Sequence, residues 1–440
     1  MTLHPRKIPA ALVPMFTFII LLAAQSAAQA VPPTISRFKL DNGIRVVVLH
    51  VQNSKYFAAF SYLPLGLACD GAGRTQWSHL LEHLTLRTTG PITDYRQRNA
   101  ETMNDGMHLD FLGTTDNWQE GLDLHAKWLS GLAFSELALR EEIPKALSEA
   151  AGTVANLYTH KWAAAAWNQV FRHGRADVAV LGDLRNAKLG DAQAYRDAHL
   201  VLLDRVVLCI IGGVPVDTLK PEIEKRFGAI RSTAKALPPA TQQAAVGSEL
   251  RATWDLDARH YMVFFPIPPA DHQDYAALFI SAMFLNSQFF MDAEIKELTG
   301  AVFCGVDLAT PEGSYFYISA SLKPSASLNS VKNRIAFHMR KLSDDAALGP
   351  IPMWAMNLSI QLGTPADVGQ ALKIKPLHVT DAMMLGNLGL QWGLSDYRYG
   401  DHRAAMVAAL KAVTASQVSA AAKKYLTDQK RTTLLLEPKK

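Results

Sequence analysis

Cysteine is scarce in this chain: three residues in 440, Cys69, Cys209 and Cys304, odd in number and far apart. A disulfide framework of the kind that staples small secreted domains is not indicated, and with no C-x-x-C pair a thiolate metal site is excluded as well. Runs of Lys and Arg interleaved with aromatics are missing too, and 44 basic residues nearly balance 40 acidic ones. A nucleic-acid phosphate backbone is therefore not an expected partner. Low-complexity tracts are too small to suggest long disorder, and the composition is 49% hydrophobic and 19% charged. Beyond the N-terminus no stretch offers about eighteen uninterrupted apolar residues, since even 200–214 is broken by Asp204 and Arg205. What remains is an ordinary globular composition of a length that suits two domains, each able to bury its own core.

The first thirty residues differ from the rest. Arg6 and Lys7 precede an apolar stretch at 10–24, and small residues lead to Ala28-Gln29-Ala30. This pattern is expected of a cleavable secretory signal over 1–30; Pro14 and the short apolar core argue against a retained anchor. The mature chain is then expected to start near Val31, with the net charge reduced from +4 to +2 because Arg6 and Lys7 are lost.

Strands are expected at 37–40 and 45–49, joined by Asp41-Asn42-Gly43, where Asn-Gly suits a tight hairpin turn. Segment 75–87 has apolar positions at helical spacing and is closed by Thr88-Thr89-Gly90-Pro91, so it predicts a helix. Further helices are expected at 119–132 and 135–151, the second with Ser135 as cap and Pro144 as a kink or break. A strand at 205–211 and a helix at 216–227 follow. Between 232 and 248 the composition shifts to Ala, Pro, Gln, Thr and Ser, which sets the expected domains as 31–232 and 250–440 with a linker at 233–249. Beyond the linker, strands at 261–265 and 315–322 and a helix at 275–284 repeat the mixed α and β texture of the first half, as an ancient duplication would.

Within the helix at 75–87 the residues His79-Leu80-Leu81-Glu82-His83 carry chemistry. Histidines four apart lie on one helix face within reach of a single ion, and Glu82 projects from nearly the same face. Two ligands and a general base for a metal-activated water thus fall within about one turn, in the inverse of the H-E-x-x-H order. A solvated polar stripe on an amphipathic helix would use the same residue types. A tetrahedral catalytic zinc needs a third protein ligand. Glu142 and Glu149, seven residues apart and so on one face of the helix at 135–151, are the candidates. Glu149 is assigned as third ligand and Glu142 as the carboxylate behind it, although Glu141 is adjacent and a solvated helix face explains either residue taken alone.

With these residues in place, the chain resembles the pitrilysin and insulinase family, which includes the mitochondrial processing peptidase. That family follows the inverted motif with a helix bearing two glutamates seven apart, the second a zinc ligand, as Glu142 and Glu149 stand here; the interval from His83 to Glu149 is shorter than usual. Residues 38–43 resemble the family's opening hairpin, 207–227 its strand-helix unit and 413–426 its closing helix. The resemblance implies an α+β fold of two homologous domains, each an antiparallel sheet covered by helices, with the zinc motif only in the first. It implies zinc-dependent cleavage of unfolded peptides inside a chamber, and the signal implies a periplasmic address.

Two departures accompany the resemblance. Relatives place Asn-Ala in the strand after the zinc helix to hold the substrate backbone, and 106–111 is matched to that strand, putting Asp110 in place of Asn. Active single-chain relatives also carry an Arg and a Tyr seven apart, matched here by Lys296 and Phe303, which lack the guanidinium fork and the hydroxyl donor. A homologous partner subunit supplying Arg and Tyr is one implication. The alternative is a peptide-binding or assembly subunit with little hydrolysis of its own.

Overall fold

The computed structural model describes residues 33–70, 73–90, 97–103, 105–156, 182–199, 202–232, 247–254, 256, 258–269, 272–310, 313–349, 380–400 and 403–439. The expected signal at 1–30 and most of the expected linker lie outside them.

Two sheets organise the chain. The first takes strands β1 (Thr34–Lys39), β2 (Arg45–His50), β3 (Tyr56–Leu63), β4 (Arg98–Thr102), β5 (Met107–Thr114) and β6 (Val207–Gly212) in the order β1-β2-β6-β3-β5-β4. The second takes β7 (Glu249–Trp254), β8 (His260–Ile267), β9 (Thr299–Thr310), β10 (Gly313–Leu322) and β11 (Thr432–Pro438) in the order β7-β11-β8-β10-β9. Without β1, the two orders coincide strand for strand. Even the one parallel pair recurs in the same place, β2 with β6 and β7 with β11, all other pairs being antiparallel. The expected α+β architecture of two sheets covered by helices is present, and the shared strand order is what a duplication leaves behind.

One face of the first sheet is covered by α1 (Trp77–Thr88), α2 (Trp118–Leu129), α3 (Glu136–Asn156), α4 (Leu189–His199) and α5 (Val216–Phe227). Leu80, Leu81 and Leu84 of α1 join Met107, Leu109 and Phe111 of β5 in that core. The second sheet is covered by α6 (Tyr275–Met291), α7 (Ala293–Leu298), α8 (Leu328–Lys341), α10 (Arg403–Ala412) and α11 (Ala415–Tyr425). Between α8 and α10 in sequence comes α9 (Thr380–Tyr399), and it does something different. It lies on the back of the first sheet, with Leu385 and Trp392 against Phe60, Tyr62, Cys209 and Ile211. Gly389 and Gly393 permit this approach: a Cβ on either would come within 2.6 Å of Phe60 or Tyr62 side-chain atoms. Arg37 reaches Asp396 at 3.2 Å, and Arg398 reaches Asp105 at 2.7 Å, fixing the C-terminal turn of α9 from two sides of the sheet.

Most predicted elements recur with shifts of one or two residues. The opening hairpin pairs Lys39 with Arg45, and Gly43 takes the left-handed φ of +102° that the turn requires. α1 starts two residues later than expected because Thr75 and Gln76 form a turn. α3 begins after Ser135, whose hydroxyl accepts from the Ala138 N–H at 3.1 Å, and continues through Pro144 without a break. Arg140 and Pro144 are both exposed, so the proline sits on the solvent side of the helix. Among the described residues no single helix is long and apolar enough to cross a membrane.

Candidate metal centre

α1 and α3 pack side by side, and their facing sides bring His79, His83, Glu142 and Glu149 together. The Nε2 atoms of His79 and His83 are 3.2 Å apart, and Glu149 Oε2 lies 3.3 Å from His83 Nε2 and 3.6 Å from His79 Nε2. Donors at about 2.0–2.1 Å from one tetrahedral zinc are separated by about 3.3–3.4 Å, because a tetrahedron's edge is about 1.6 times its radius. The three observed separations bracket that edge, and two imidazoles with one carboxylate form a donor set that zinc accepts.

The other ring nitrogen of each histidine is engaged as metal binding requires. His79 Nδ1 lies 3.1 Å from Gln76 Oε1, and His83 Nδ1 lies 3.2 Å from Glu142 Oε2. Both partners are acceptors, so each Nδ1 carries the proton and each Nε2 presents its lone pair to the shared position. The adjacent Glu141 turns outward to Arg87 at 2.8 Å, which distinguishes the two neighbouring glutamates. Glu142 is buried and also accepts from Lys145 Nζ at 2.7 Å.

Charge in the cluster is mutually supporting. Burial disfavours the charged form of His79, but the bond it donates to Glu149 and the charges of Glu82 and Glu149 outweigh it and raise its pKa. The bond to His79 correspondingly lowers the pKa of Glu149.

Glu82 is 8% exposed and accepts a 2.6 Å bond from the Thr102 hydroxyl of β4. A carboxylate oxygen of Glu82 and one nitrogen of each histidine lie within 4.8 Å of one another, a group able to hold a metal ion. The strand that meets Glu82 is not the one that carries Asp110. It is β4, at the edge of the sheet, and it contains its own Asn-Ala pair, Asn99-Ala100. Asp110 lies one strand further in, opposite Asn99 in register, so both side chains are on the face of the sheet away from Glu82. There Asp110 meets His108 at 2.7 Å, and Glu101 meets the same ring at 3.3 Å. The carboxylates hold the His108 pKa near 10 against the effect of burial.

Lys296 and Phe303 make their described contacts within the second half. The Lys296 ammonium sits 4.6 Å from the centroid of the Phe290 ring, and the Phe303 ring meets Tyr317 edge-on at 5.9 Å. Gln76 and Thr102 are the site residues that sequence reasoning missed; neither belongs to a spacing rule, and only the packed turn and strand bring them to His79 and Glu82.

Residues 186–348 match a family model described as "Peptidase M16 inactive domain". The matched segment begins after Glu149, so the histidine cluster lies outside it. No curated protein matches the chain in sequence. Among solved structures, a protease from Helicobacter pylori superposes with a TM-score of 0.71 at 18% identity, over 92% of this chain and 100% of that one. A structure described as a peptidase M16 inactive domain, from Pseudomonas fluorescens, gives 0.66 at 16% identity over 92% and 98%. The periplasmic protease PqqL from Escherichia coli gives 0.62 at 11% identity, over 92% of this chain but 48% of that one. At these identities the likeness is one of fold, and with the matched domain it bears out the resemblance to the pitrilysin and insulinase family.

Proposed function

Taking this chain as a pitrilysin-type, M16 protein, we propose that it is a zinc-dependent endopeptidase that hydrolyses unfolded peptides, with His79, His83 and Glu149 as metal ligands. The observation that carries this reading is the triangle of Nε2, Nε2 and Oε2 atoms with edges of 3.2, 3.3 and 3.6 Å. Zinc held there would supply Lewis acidity toward the peptide carbonyl and acidify a water molecule. Glu82 takes a proton from the attacking water and returns it to the leaving amine, so water is added across the amide bond. Thr102 holds the Glu82 carboxylate against β4, and Glu142 holds the His83 ring in its ligating tautomer. β4 is an edge strand, and an extended peptide pairing with it through backbone bonds would run past Glu82 with little demand on sequence.

A second reading is favoured by Lys296 and Phe303, which the family resemblance matches to the relatives' Arg and Tyr, and by the description of 186–348 as an inactive domain. On that reading the chain binds peptide or assembles with a homologous subunit, and hydrolyses little alone. PqqL is about twice the length that this chain covers, as expected if the working unit holds two such bodies. Export to the periplasm rests on the pattern at 1–30 and on the description of PqqL as periplasmic.

The test is to purify the mature chain, measure bound zinc, and follow a quenched peptide with and without chelator. Chelator-sensitive cleavage supports the enzyme; bound zinc without cleavage turns the choice to the second reading, and cleavage that appears on adding an Arg- and Tyr-bearing homologue identifies the missing half. Cleavage that survives Glu82→Gln would sink the mechanism.

A further inference from the structure

The turn that begins α1 is unusual in its backbone and in where its side chain goes. Gln76 has φ 65° and ψ 17°, the left-handed region that costs a residue with a Cβ and favours glycine. Asn53, at φ 64°, is the other such non-glycine residue among those described. Contacts on both sides hold Gln76 there. Thr75 donates from its N–H and its hydroxyl to Asp183 Oδ2, at 3.1 and 2.9 Å. Two residues later Ser78 donates from its N–H and hydroxyl to Asp70 Oδ1, at 3.0 and 2.6 Å, and Tyr195 donates to the same oxygen at 3.0 Å. Strained conformations persist only where the surroundings over-determine them, and they cluster where function uses them.

A side chain at a helix start ordinarily accepts a bond from one of the first backbone N–H groups. Gln76 makes no such bond. Its side chain, on a residue 5% exposed, turns to His79 instead, where Oε1 meets Nδ1 at 3.1 Å. The two histidines are therefore oriented by unlike partners: a carboxylate, Glu142, behind His83, and a neutral amide behind His79.

We infer that Gln76 is a positioning residue for metal binding: its left-handed backbone aims the side-chain amide oxygen at His79 Nδ1, which fixes the tautomer and leaves Nε2 to ligate. The inference rests on the zinc reading of the site. It predicts that the acceptor matters rather than the bulk of the side chain or the shape of the turn. Gln76→Met keeps the length and removes the acceptor; Gln76→Glu keeps an acceptor; Gln76→Gly removes the side chain and relieves the backbone.

Zinc affinity is read by competition with a chromophoric chelator, and ligand geometry by the visible absorption of bound cobalt(II). The expected result is affinity weakened about 10- to 100-fold in Gln76→Met and Gln76→Gly, with Gln76→Glu restoring both the affinity and the cobalt spectrum. The metal-free Gln76→Gly protein should melt no lower than the wild type. A Gln76→Met protein that binds zinc as tightly as a zinc-binding wild type overturns the inference and leaves the proposed function standing. A loss that Gln76→Glu fails to restore overturns it as well. A wild type that binds zinc but cleaves no peptide removes the peptidase reading alone, and one that binds no zinc removes both.

Discussion

α1 and α6 occupy the same place in the two halves, each between the second and third of the five shared strands in chain order, and they have been put to different uses. α6 carries no charged residue across Tyr275–Met291, whereas α1 places His79, Glu82, His83 and Arg87 in twelve residues. Both are tied to their edge strand by one polar side chain. In the second half Asn286 donates to the Cys304 carbonyl and accepts from its N–H, both at 2.7 Å, closing a stretch of β9 backbone. In the first half the tie is Glu82 to the Thr102 hydroxyl, and a carboxylate, unlike an amide, has further capacity to accept a proton. The fold requires the tie; the chemistry depends on which group makes it.

The largest expected effect sharpens this contrast directly. Glu82→Gln turns the first tie into an amide like the second, and should cost about 10²–10⁴-fold in kcat while leaving bound zinc in place, measured by peptide turnover and metal content.

Next comes a pair of buried aspartates at helix starts, Asp70 before α1 and Asp292 before α7. Burial raises the Asp70 pKa to about 7, its bonds from Ser78 and Tyr195 only partly opposing this. Burial acts the same way on Asp292, but Arg334 and His338 overcome it and hold that carboxyl well below the usual range. The signs therefore differ. Asp70 contributes most to stability below its unfolded pKa of about 4, and that contribution, on the order of 4 kcal/mol, is lost as the pH rises through about 7. Asp292 contributes above about pH 4 and loses its contribution on acidification through its depressed pKa. Denaturant melts of the metal-free chain across pH should show Asp70→Asn flattening the neutral-side decline and Asp292→Asn flattening the acid-side loss. The same slope in both variants would erase the contrast.

Glu142→Gln should weaken zinc binding or activity about 10- to 100-fold, with the His83 ring losing its anionic partner, as read by chelator competition. The smallest pair compares the ties again. Thr102→Val and Asn286→Ala should each cost about 1 kcal/mol in denaturant unfolding, but Thr102→Val alone should also lower kcat.

The candidate metal helix was legible because helical spacing converts His79, Glu82 and His83 into one face, and Glu149 followed from a seven-residue interval on a second helix. Gln76 was not legible, because its role depends on a left-handed turn set by Asp183 and Asp70, far away in sequence. β4, which holds the Asn99-Ala100 pair, is five residues long and carries little apolar signal, whereas β5 is eight residues long with a strong one, so pattern alone favours β5. The duplicated topology showed only as similar texture, since strand order is a property of pairing and leaves little trace in composition. α9 escaped for a related reason. Gly386, Gly389 and Gly393 look like helix weakeners in isolation, and become contact points only once a sheet lies beneath them.

That helix also sets a timetable. Tyr62 of β3 bonds to the Leu390 carbonyl, a partner 328 residues later, and the back of the first sheet meets α9 only when the ribosome has made nearly the whole chain. Until then Phe60, Tyr62 and Ile211 have no cover from this helix, so the growing first half leaves that apolar face open. A chain stopped before residue 380 would keep every ligand named above and still lack the surface that completes the sheet behind them. Its metal site would be present in sequence and late, or lost, in assembly.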